Sequence, residues 1–472
     1  MKTNFPFSFR KLQAIFIASF LLQTVAHSQT TTPDYDYAAF RFPDIDRKAL
    51  DVQFDLLGSA SKREERQVFM PENISNSSIS NNLSFNYSRF RNTETLQSQQ
   101  SLSFSESFFS RRTRTSTFLA RETILNLGIG IDNVHRKYYK PLRFWEIDLF
   151  ATAGFQRSRR RDDNVPVNKR SDLTLIGSLP VKIGQGRIEP IDDVFIAKFM
   201  MDDLLENGLL SAPLSQEQLF SLGQVMAAAR NQRIFDGRRQ RIYELTQLDN
   251  WFKANGLAES KSDMLYFTTV ADNWLFSFRN VRSAGARYAV GLEPFGRLRH
   301  TWEVGPGISE GYFGISAFGE YTHERPINQF WQLQKTAKAG IEYLINPVDP
   351  ERDFYNQWLR PFAEAGLGYG YFPNSRTNLF ANAALRYEYY HADPDNAFLF
   401  DYHVVQPSID LQTTYFINYQ FRLNGRLNSS YSWSSDNDEG PVFSSPGLPF
   451  SANSGNSRFN LFAQLTLNYS FF

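Results

Sequence analysis

Long segments in which apolar and polar residues alternate one by one constrain the fold of this 472-residue chain more than any other feature. The clearest of them is 419–433, YQFRLNGRLNSSYSW, whose aromatic and leucine residues all fall on odd positions. Its even positions carry only glutamine, arginine, asparagine and serine. Because side chains point to opposite faces along a β-strand, this pattern predicts a strand with one apolar face and one hydrophilic face.

About fourteen segments of roughly 11–16 residues share this alternation, which is least regular in 117–131 and 143–157. Strands of soluble proteins average about 5–6 residues, whereas a tilted strand needs about 9–11 to cross a bilayer. Only a closed barrel satisfies all backbone polar groups of strands in lipid. The pattern therefore predicts an all-β transmembrane antiparallel β-barrel with strands at 50–60, 76–90, 97–110, 117–131, 143–157, 172–183, 285–299, 309–323, 335–346, 358–372, 377–390, 403–417, 419–433 and 457–472.

The composition agrees with strands that have one apolar face. The chain has 44 Phe and 22 Tyr, yet its mean hydropathy is −0.41, so the apolar residues are diluted among polar ones. With 50 basic and 49 acidic residues, the net charge gives no reason to expect nucleic acid as a partner. Cysteine is absent, which excludes disulfides, cysteine-ligated metals and a lipoprotein anchor.

The first 28 residues have the pattern of an export signal. Lys2, Arg10 and Lys11 form a basic region, LQAIFIASFLL is a short apolar run, and AHS supplies small residues before a cleavage site. That apolar run is too short for a convincing spanning helix, and no other run of 18 apolar residues exists. The sequence therefore predicts an exported protein.

At this point the chain resembles Gram-negative outer-membrane β-barrel proteins, through its signal peptide, its alternating strands and its last segment, SRFNLFAQLTLNYSFF. The resemblance implies that the cell's barrel-insertion machinery reads the terminal strand, with outer-membrane lipid as the surrounding partner. It assigns the insertion signal to Leu467, Tyr469, Phe471 and Phe472, although Phe472 lies off the alternating parity. In this family periplasmic turns are short and extracellular loops are long.

The turn lengths then orient the strands. Counting back from the last strand places the segment between 183 and 285 in the periplasm. The likeness of YKPLRFW (139–145) to ERPINQFW (324–331) predicts that both are periplasmic turns, and that the charged segment 157–170 is an extracellular loop. The expected organisation is signal peptide 1–28, periplasmic N-terminal segment 29–49, first barrel part 50–183 with about six strands, periplasmic insertion 184–284 with a helical domain at about 187–262, and second barrel part 285–472 with about eight strands. The weakest strand, 50–60, is also compatible with a periplasmic N-terminal segment.

The insertion changes from the two-residue period of strands to the period of helices. Phe195, Phe199 and Leu204 predict one face of a helix at about 191–206, which Gly208 would end. Ser215 and Gln218 form a capping box that starts a second helix, and a third is predicted at about 236–254. A three-helix domain of this size has a small core, so it is expected to dock on the barrel mouth or on a partner.

The arginines of this insertion allow two interpretations. They form either a solvated face or a docking surface for acidic lipid headgroups, a periplasmic protein or an anionic polymer. The candidates are Arg230, Arg233, Arg238, Arg239 and Arg241.

The polar parity of the strands places charged residues inside the barrel, because charge facing lipid is costly. They form either an interior salt-bridge network that closes the lumen or a charged constriction that selects solutes. The expected lumen-lining residues are Glu293, Arg297, Glu320, Lys338, Glu342, Glu364, Arg386, Glu388, Asp410, Arg422 and Arg426.

The sequence gives no indication of catalysis. No serine lies in a G-x-S-x-G setting, the five histidines of the mature chain fall near predicted strand ends or turns, and THER at 322–325 lacks the second histidine of a zinc motif. We expect no enzyme activity, no catalytic or metal-ligating residues and no cofactor. Two functions stay open: a channel or transport barrel that its helical domain gates or plugs, and an envelope assembly or export component whose helical domain docks a partner.

Overall fold

The strands form one antiparallel sheet in which strands next to each other in the chain are also neighbours in space. In the described residues they are β1 (Ile45–Arg66), β2 (Pro71–Asn92), β3 (Leu96–Arg114), β4 (Leu119–Lys140), β5 (Arg143–Asp162), β6 (Val165–Ser178), β7 (Val181–Pro190), β8 (Ser283–Trp302), β9 (Ile308–Pro326), β10 (Trp331–Ile345), β11 (Gln357–Asn374), β12 (Thr377–Tyr390), β13 (Tyr402–Phe416), β14 (Phe421–Ser434) and β15 (Ser457–Tyr469).

The structure is a computed structural model. It describes residues 35–66, 71–115, 119–162, 165–232, 234, 236–257, 264–275, 282–303, 307–345, 357–390, 402–417, 421–434 and 457–469. The expected signal peptide 1–28 lies outside these residues.

β6 and β7 are two halves of one interrupted strand. Both pair with β5 and with β8, and neither register shifts across the break at Leu179 and Pro180. Proline has no backbone N–H to donate, which accounts for the interruption. The Pro180 carbonyl still accepts a hydrogen bond of 2.9 Å from the Asp148 backbone N–H. The sheet therefore has fourteen strand positions, which confirms the expected count and includes the doubtful segment 50–60 as part of β1.

The sheet curves into the barrel, because residues of distant strands meet on its inner face. β2 and β7 are separated by three strands, yet Asn92 Nδ2 donates to Glu189 Oε2 at 3.2 Å. Gln97 of β3 likewise donates to the Ile188 carbonyl at 3.1 Å. Within the described residues no ladder joins β1 to β15, so these two are the edge strands of the sheet.

Several strands are longer than their alternating segments. Of the charged segment 157–170, expected as a loop, residues 157–162 instead belong to β5 and 165–170 to β6, and the two strands stay paired up to Asp162 and Val165. β1 and β2 each contain 22 residues. At about 3.3 Å per residue such strands exceed the roughly 30 Å of hydrocarbon in a bilayer even when tilted. Their polar ends therefore need no apolar face and do not alternate.

The helical insertion joins β7 to β8 and contains four described helices: α1 (Asp192–Glu206), α2 (Gln216–Asn231), α3 (Gly237–Ala254) and α4 (Met264–Leu275). We call residues 191–282 the helical insert. The three predicted helices are confirmed: α1 and α3 lie within a residue or two of their expected bounds, and α2 starts directly after Ser215 as expected. The expected three-helix domain has four described helices, since α4 was not predicted. Tyr266, Val270 and Trp274 are buried on α4 at a spacing of four residues, which is the helical signal that could have revealed it.

The local signals at the helix ends take the predicted form. Ser215 and Gln218 make a reciprocal capping box at the start of α2. Gly208, which follows α1, has φ +67°, and the Leu209 N–H reaches back to the Leu204 carbonyl at 2.8 Å. None of the described helices is long and apolar enough to span a bilayer.

The N-terminal residues 35–44 complete the core of the helical insert. Tyr37 stacks on Phe195 with ring centroids 4.3 Å apart, and the Tyr35 hydroxyl donates to the Leu214 carbonyl at 2.7 Å. Phe40, 1% exposed, also belongs to this core. Part of the expected periplasmic N-terminal segment 29–49 is therefore packed on the insert, and its last residues, from Ile45, belong to β1. This contact supplies apolar surface that a small helical unit lacks.

Gly186 lies where β7 leaves the barrel for the insert. Its φ is +107°, and a Cβ at this position would collide with the Ala286 carbonyl oxygen of β8. Only glycine adopts this conformation at low cost.

The strand order decides which connections lie at the same end of the barrel as the insert. The insert shares one end with the turns at 93–95, 141–142, 327–330 and 375–376, because successive antiparallel hairpins alternate ends. YKPLRFW and ERPINQFW are thus turns at the same end, as their likeness predicted. We call it the insert end.

Candidate functional site

The outer face of the barrel is apolar and exposed. Leu292, Leu385 and Leu427 are 55%, 50% and 41% exposed, although each lies within a paired strand. The charged positions next to them in sequence face inward, as the alternation predicted. The inner face is therefore the surface on which a function of this barrel has to be sought.

A buried lysine organises the inner face near the insert end. Lys182 of β7 lies 2.8 Å from Glu146 Oε1, 2.7 Å from Asp148 Oδ2 and 3.2 Å from Glu320 Oε1. Arg136 of β4 also pairs with Glu146. We call these five residues the Lys182 cluster. It ties β4, β5, β7 and β9 together, and the side chains of Lys182 and Glu146 are 9% and 2% exposed.

A second network continues from this cluster toward the turn at 93–95. Arg187 donates to the carbonyls of Thr93 and Glu94 at 2.9 and 2.8 Å and pairs with Glu189. Gln97 accepts from Arg136 at 3.1 Å, which links the two networks. The inner face on this side is therefore filled by paired polar side chains.

The expected lumen residues of the later strands form four separate ion pairs. Glu342 pairs with Arg360, Arg386 with Glu388, Arg426 with Asp410 at 2.9 Å, and Lys338 with Glu293 at 3.7 Å. Glu320 joins the Lys182 cluster and lies 3.8 Å from Arg287. Within the described part of the chain, no ion pair involves Arg297, Glu364 or Arg422. Glu364 does lie opposite both Lys338 and Arg386 in the β-ladders.

Sequence reasoning missed the charges of the earlier strands. Arg136, Glu146, Asp148 and Lys182 were not among the expected lumen residues; Glu146 and Asp148 belong to 143–157, which alternates less regularly. Their parity held the signal, since Glu146 and Asp148 alternate with Ile147 and Leu149, and Lys182 lies between Val181 and Ile183.

Arg282 clamps the helical insert to the barrel. Its guanidinium lies between the rings of Phe195 of α1, 3.2 Å from the centroid, and Phe372 of β11, 4.5 Å from the centroid. It donates to the carbonyls of Gln329 and Asn328 at 2.6 and 3.0 Å. We call this set of five residues the Arg282 clamp. Burial lowers the pKa of Arg282 to about 9, so the side chain remains protonated at neutral pH.

Helix α1 makes a further contact with the same turn. Gln329 Nε2 donates to Asp202 Oδ2 at 2.7 Å, and Lys198 Nζ donates to the same carboxylate at 2.6 Å. Burial lowers the pKa of Lys198, although Asp202 partly opposes this shift. On the other side of the insert, Asp272 of α4 pairs with Arg376 of the turn between β11 and β12. The insert is thus attached to two turns of the insert end.

The predicted docking face is smaller than expected. Arg230 does not belong to it, because its side chain is buried, pairs with Asp193 at 2.7 Å and lies over Trp274 at 4.7 Å. On α2 it faces α1 and α4, so that Asp193 of α1 and Trp274 of α4 enclose its guanidinium. Arg233 lies outside the described residues. Arg238, Arg239 and Arg241 are exposed on α3.

The expected insertion signal lies at the end of β15. Leu467 is 58% exposed on the outer face, and Tyr469 is the last residue of the strand. Phe471 and Phe472 lie outside the described residues.

No protein-family model matches the chain, and no curated protein sequence matches it. Among solved structures it is similar to the translocator domain of the autotransporter NalP from Neisseria meningitidis, with 10% identity, 86% of this chain and 98% of that one covered, and a TM-score of 0.27. The transport unit of the autotransporter AIDA-I from Escherichia coli is 8% identical, with 97% of each chain covered and a TM-score of 0.24. OmpT, an outer-membrane protein of Vibrio cholerae, is 11% identical, with 90% of this chain and 99% of that one covered and a TM-score of 0.26. Likenesses this weak assign neither a family nor an activity to the chain.

Proposed function

We propose that this protein is a non-enzymatic outer-membrane channel or transport barrel whose helical insert closes one mouth. The observation that carries the proposal is the Arg282 clamp, which holds α1 against the turns of the barrel's insert end. A helical unit fixed at the mouth of a barrel with a charged inner face can control passage through it. This role explains why the insert is fastened to the barrel by side chains rather than only by its two chain connections.

The membrane location rests on the exposed apolar outer face. Large apolar patches on a protein surface mark contact with lipid or with another protein, and here the apolar residues recur on strand after strand. In lipid, the backbone groups of the edge strands β1 and β15 must find partners. Pairing of β1 with β15 in the membrane satisfies both edges. The expected export signal and the barrel-insertion machinery would deliver the chain there.

The insert end faces the periplasm in this proposal, because its turns are short, whereas the long connections, those after β10, β12 and β14, lie at the opposite end. A specific protease site inserted at Ala212, in the exposed stretch between α1 and α2, tests this orientation. We expect external protease to leave this site intact in whole cells and to cleave it after the outer membrane is permeabilised. An identical site at position 440 is the matched control and is expected to be cleaved in whole cells. Cleavage at 212 in whole cells would reverse the orientation.

Planar-bilayer conductance tests the channel itself. The Ile191 N–H donates to the Arg282 carbonyl at 3.0 Å, so a short flexible linker can replace residues 192–281 without displacing β7 or β8. We expect rare, brief openings from the full chain and a steady conductance from the deletion variant. Silence of both proteins, after each is shown to be folded by its resistance to unfolding in detergent, would end the channel proposal.

The exposed arginines of α3 favour a second candidate. Arg238, Arg239 and Arg241 point away from the core of the insert, where an acidic periplasmic protein or an anionic polymer could bind. The chain would then be an envelope assembly or export component that uses its barrel as an anchor. Silence of the folded deletion variant in the bilayer experiment would favour this candidate over the channel.

A further inference from the structure

A polar cavity lies on the inner face of the barrel, next to the Arg282 clamp. Its volume is about 340 Å³. Because one water occupies about 30 Å³ of liquid, the cavity is much larger than a single water site. Ser283, which follows Arg282 in the chain, forms part of its wall. Phe380, another wall residue, packs against Phe372 of the clamp with ring centroids 5.4 Å apart. The cavity therefore lies directly behind the point at which the insert is fastened.

A row of glycines on β11 creates the space. In the segment EAGLGYGYF, Gly366, Gly368 and Gly370 take inward positions, while leucine and tyrosine take the outward positions between them. A Cβ at Gly368 would collide with Asn382 Oδ1 and lie 3.3 Å from Gln334 Oε1. At these three inward positions β11 places no side chain in the lumen, which leaves room for the cavity.

The wall of the cavity is rich in carboxamides and hydroxyls. Its lining consists of Ser283, Glu324, Gln332, Gln334, Gly368, Gly370, Asn378, Phe380, Asn382, Gln412 and Thr414. No basic residue belongs to this set, so nothing in the described wall compensates an anion. Its one carboxylate, Glu324, already accepts a hydrogen bond of 3.2 Å from Gln334 Nε2.

Two of these carboxamides retain unused hydrogen-bonding capacity. Gln332 is 2% exposed and donates to the Ser283 carbonyl at 2.6 Å, yet its Oε1 has no hydrogen-bond partner among the described residues. The Asn382 side chain, whose Oδ1 lies over Gly368, forms no hydrogen bond with the described part of the chain. Buried carboxamides normally have partners, because an unsatisfied one costs about 1–3 kcal/mol.

We propose that this cavity binds a small neutral polyhydroxylated solute of the saccharide type. Hydroxyl groups both donate and accept, which matches carboxamides that offer an oxygen and an NH₂ group side by side. The ring of Phe380 offers an apolar surface to the C–H face of such a solute. This inference rests on the proposed channel, because it names the class of solute that the lumen admits. The cavity lies next to the Arg282 clamp, which links binding of the solute to docking of the insert.

Isothermal titration calorimetry of the purified full chain in detergent tests this site with three probes: maltose, and the smaller charged solutes glutamate and lysine. We expect saturable binding of maltose and no saturable binding of either charged probe. The double variant Gln334→Met and Asn382→Leu keeps the side-chain sizes and removes the carboxamides that would form hydrogen bonds with the solute. It is expected to weaken maltose binding by about tenfold or more, the equivalent of one or two hydrogen bonds.

The matched control is Asn126→Leu on β4, which makes the same chemical change on the inner face but outside the cavity wall. It is expected to leave maltose binding unchanged. Absence of maltose binding, equal binding of glutamate or lysine, or equal loss in the control and the double variant would each overturn the proposal. A chain that conducts but does not bind maltose refutes the cavity alone, whereas one that binds maltose and never conducts refutes the channel alone.

Discussion

Replacement of Arg282 by alanine is expected to release the helical insert from the barrel mouth. The change removes charged hydrogen bonds to two carbonyls, which are worth about 1.5–3 kcal/mol each, and a guanidinium enclosed by two aromatic rings. We expect docking to weaken by about 3 kcal/mol or more, which corresponds to roughly 150-fold in the docking equilibrium. Arg282→Lys retains the charge but loses the fork that reaches both carbonyls, so it is expected to restore docking only in part.

Limited proteolysis of the turn 327–330 measures this release. In the docked form Arg282 and Asp202 hold this turn, so its cleavage follows the population of the undocked form. Arg376→Ala is the matched control. It removes an ion pair between the insert and the barrel whose side chains are 39% and 45% exposed, and exposed pairs contribute only about 0–1 kcal/mol. Cleavage rates of the two alanine variants within twofold of each other would show that Arg282 does not hold the insert.

Lys182→Met is expected to destabilise the barrel more than any other single change to its inner face. Lysine 182 is the shared partner of three carboxylates, and its removal leaves Asp148 and Glu320 without their closest cation. Breaking a buried ion pair by removing one partner costs about 3–5 kcal/mol. Unfolding by urea in detergent, followed by tryptophan fluorescence, measures this loss of stability.

The control for this change is Lys338→Met. Lys338 also faces inward, but its side chain is 38% exposed and lies 3.7 Å from a single carboxylate, Glu293. We expect its loss to cost no more than about 1 kcal/mol. Because acid neutralises carboxylates, the difference between the two variants is expected to shrink as the pH falls. Equal unfolding midpoints at neutral pH would mean that the Lys182 cluster does not stabilise the barrel.

The strands were predictable wherever they have an apolar outer face. All fourteen positions were located, because a lipid-facing strand must alternate and few other structures do so over this length. The ends of the strands were not located, as the segment 157–170 shows. Outside the apolar band, a hairpin is stabilised by backbone pairing alone, which leaves no period in the side chains. The break between β6 and β7 was missed for a different reason: Leu179 and Pro180 interrupt the pairing without shifting the register, so the alternation continues through the break.

The insert was predictable in its local signals but not in its packing. The capping box of α2 and the glycine after α1 depend on neighbouring residues, and they took the predicted form. The contact between residues 35–44 and α1 depends on residues more than a hundred positions apart, which no local pattern records. Arg230 was misplaced because the sequence does not show which side of an arginine-rich helix faces its neighbours.

The sequence predicted which residues face inward on the later strands, but not how they are arranged. Parity identified charged inward residues on β8 to β14, and most of them are ion-paired. Parity could not identify which charges converge, because Arg136, Glu146 and Lys182 meet through the register of β4, β5 and β7, and Glu320 reaches Lys182 from β9. The cavity went unnoticed since its signal is the lack of side chains at Gly366, Gly368 and Gly370, and a search for charged residues passes over glycine.

The central claim is that docking of the helical insert closes the barrel. The most direct measurement compares the same molecules with the insert locked and released. The chain has no cysteine of its own, so Asp272→Cys and Arg376→Cys introduce one thiol on α4 and one on the facing turn. A short bis-thiol reagent with a reducible centre joins the two thiols, and variants with a single cysteine serve as controls.

Single-channel conductance is recorded before and after the cross-link is reduced. We predict that the cross-linked protein shows no openings and that openings appear once the reagent is cleaved, while the single-cysteine proteins do not respond to reduction. Equal conductance before and after cleavage would contradict the claim that the insert closes the barrel.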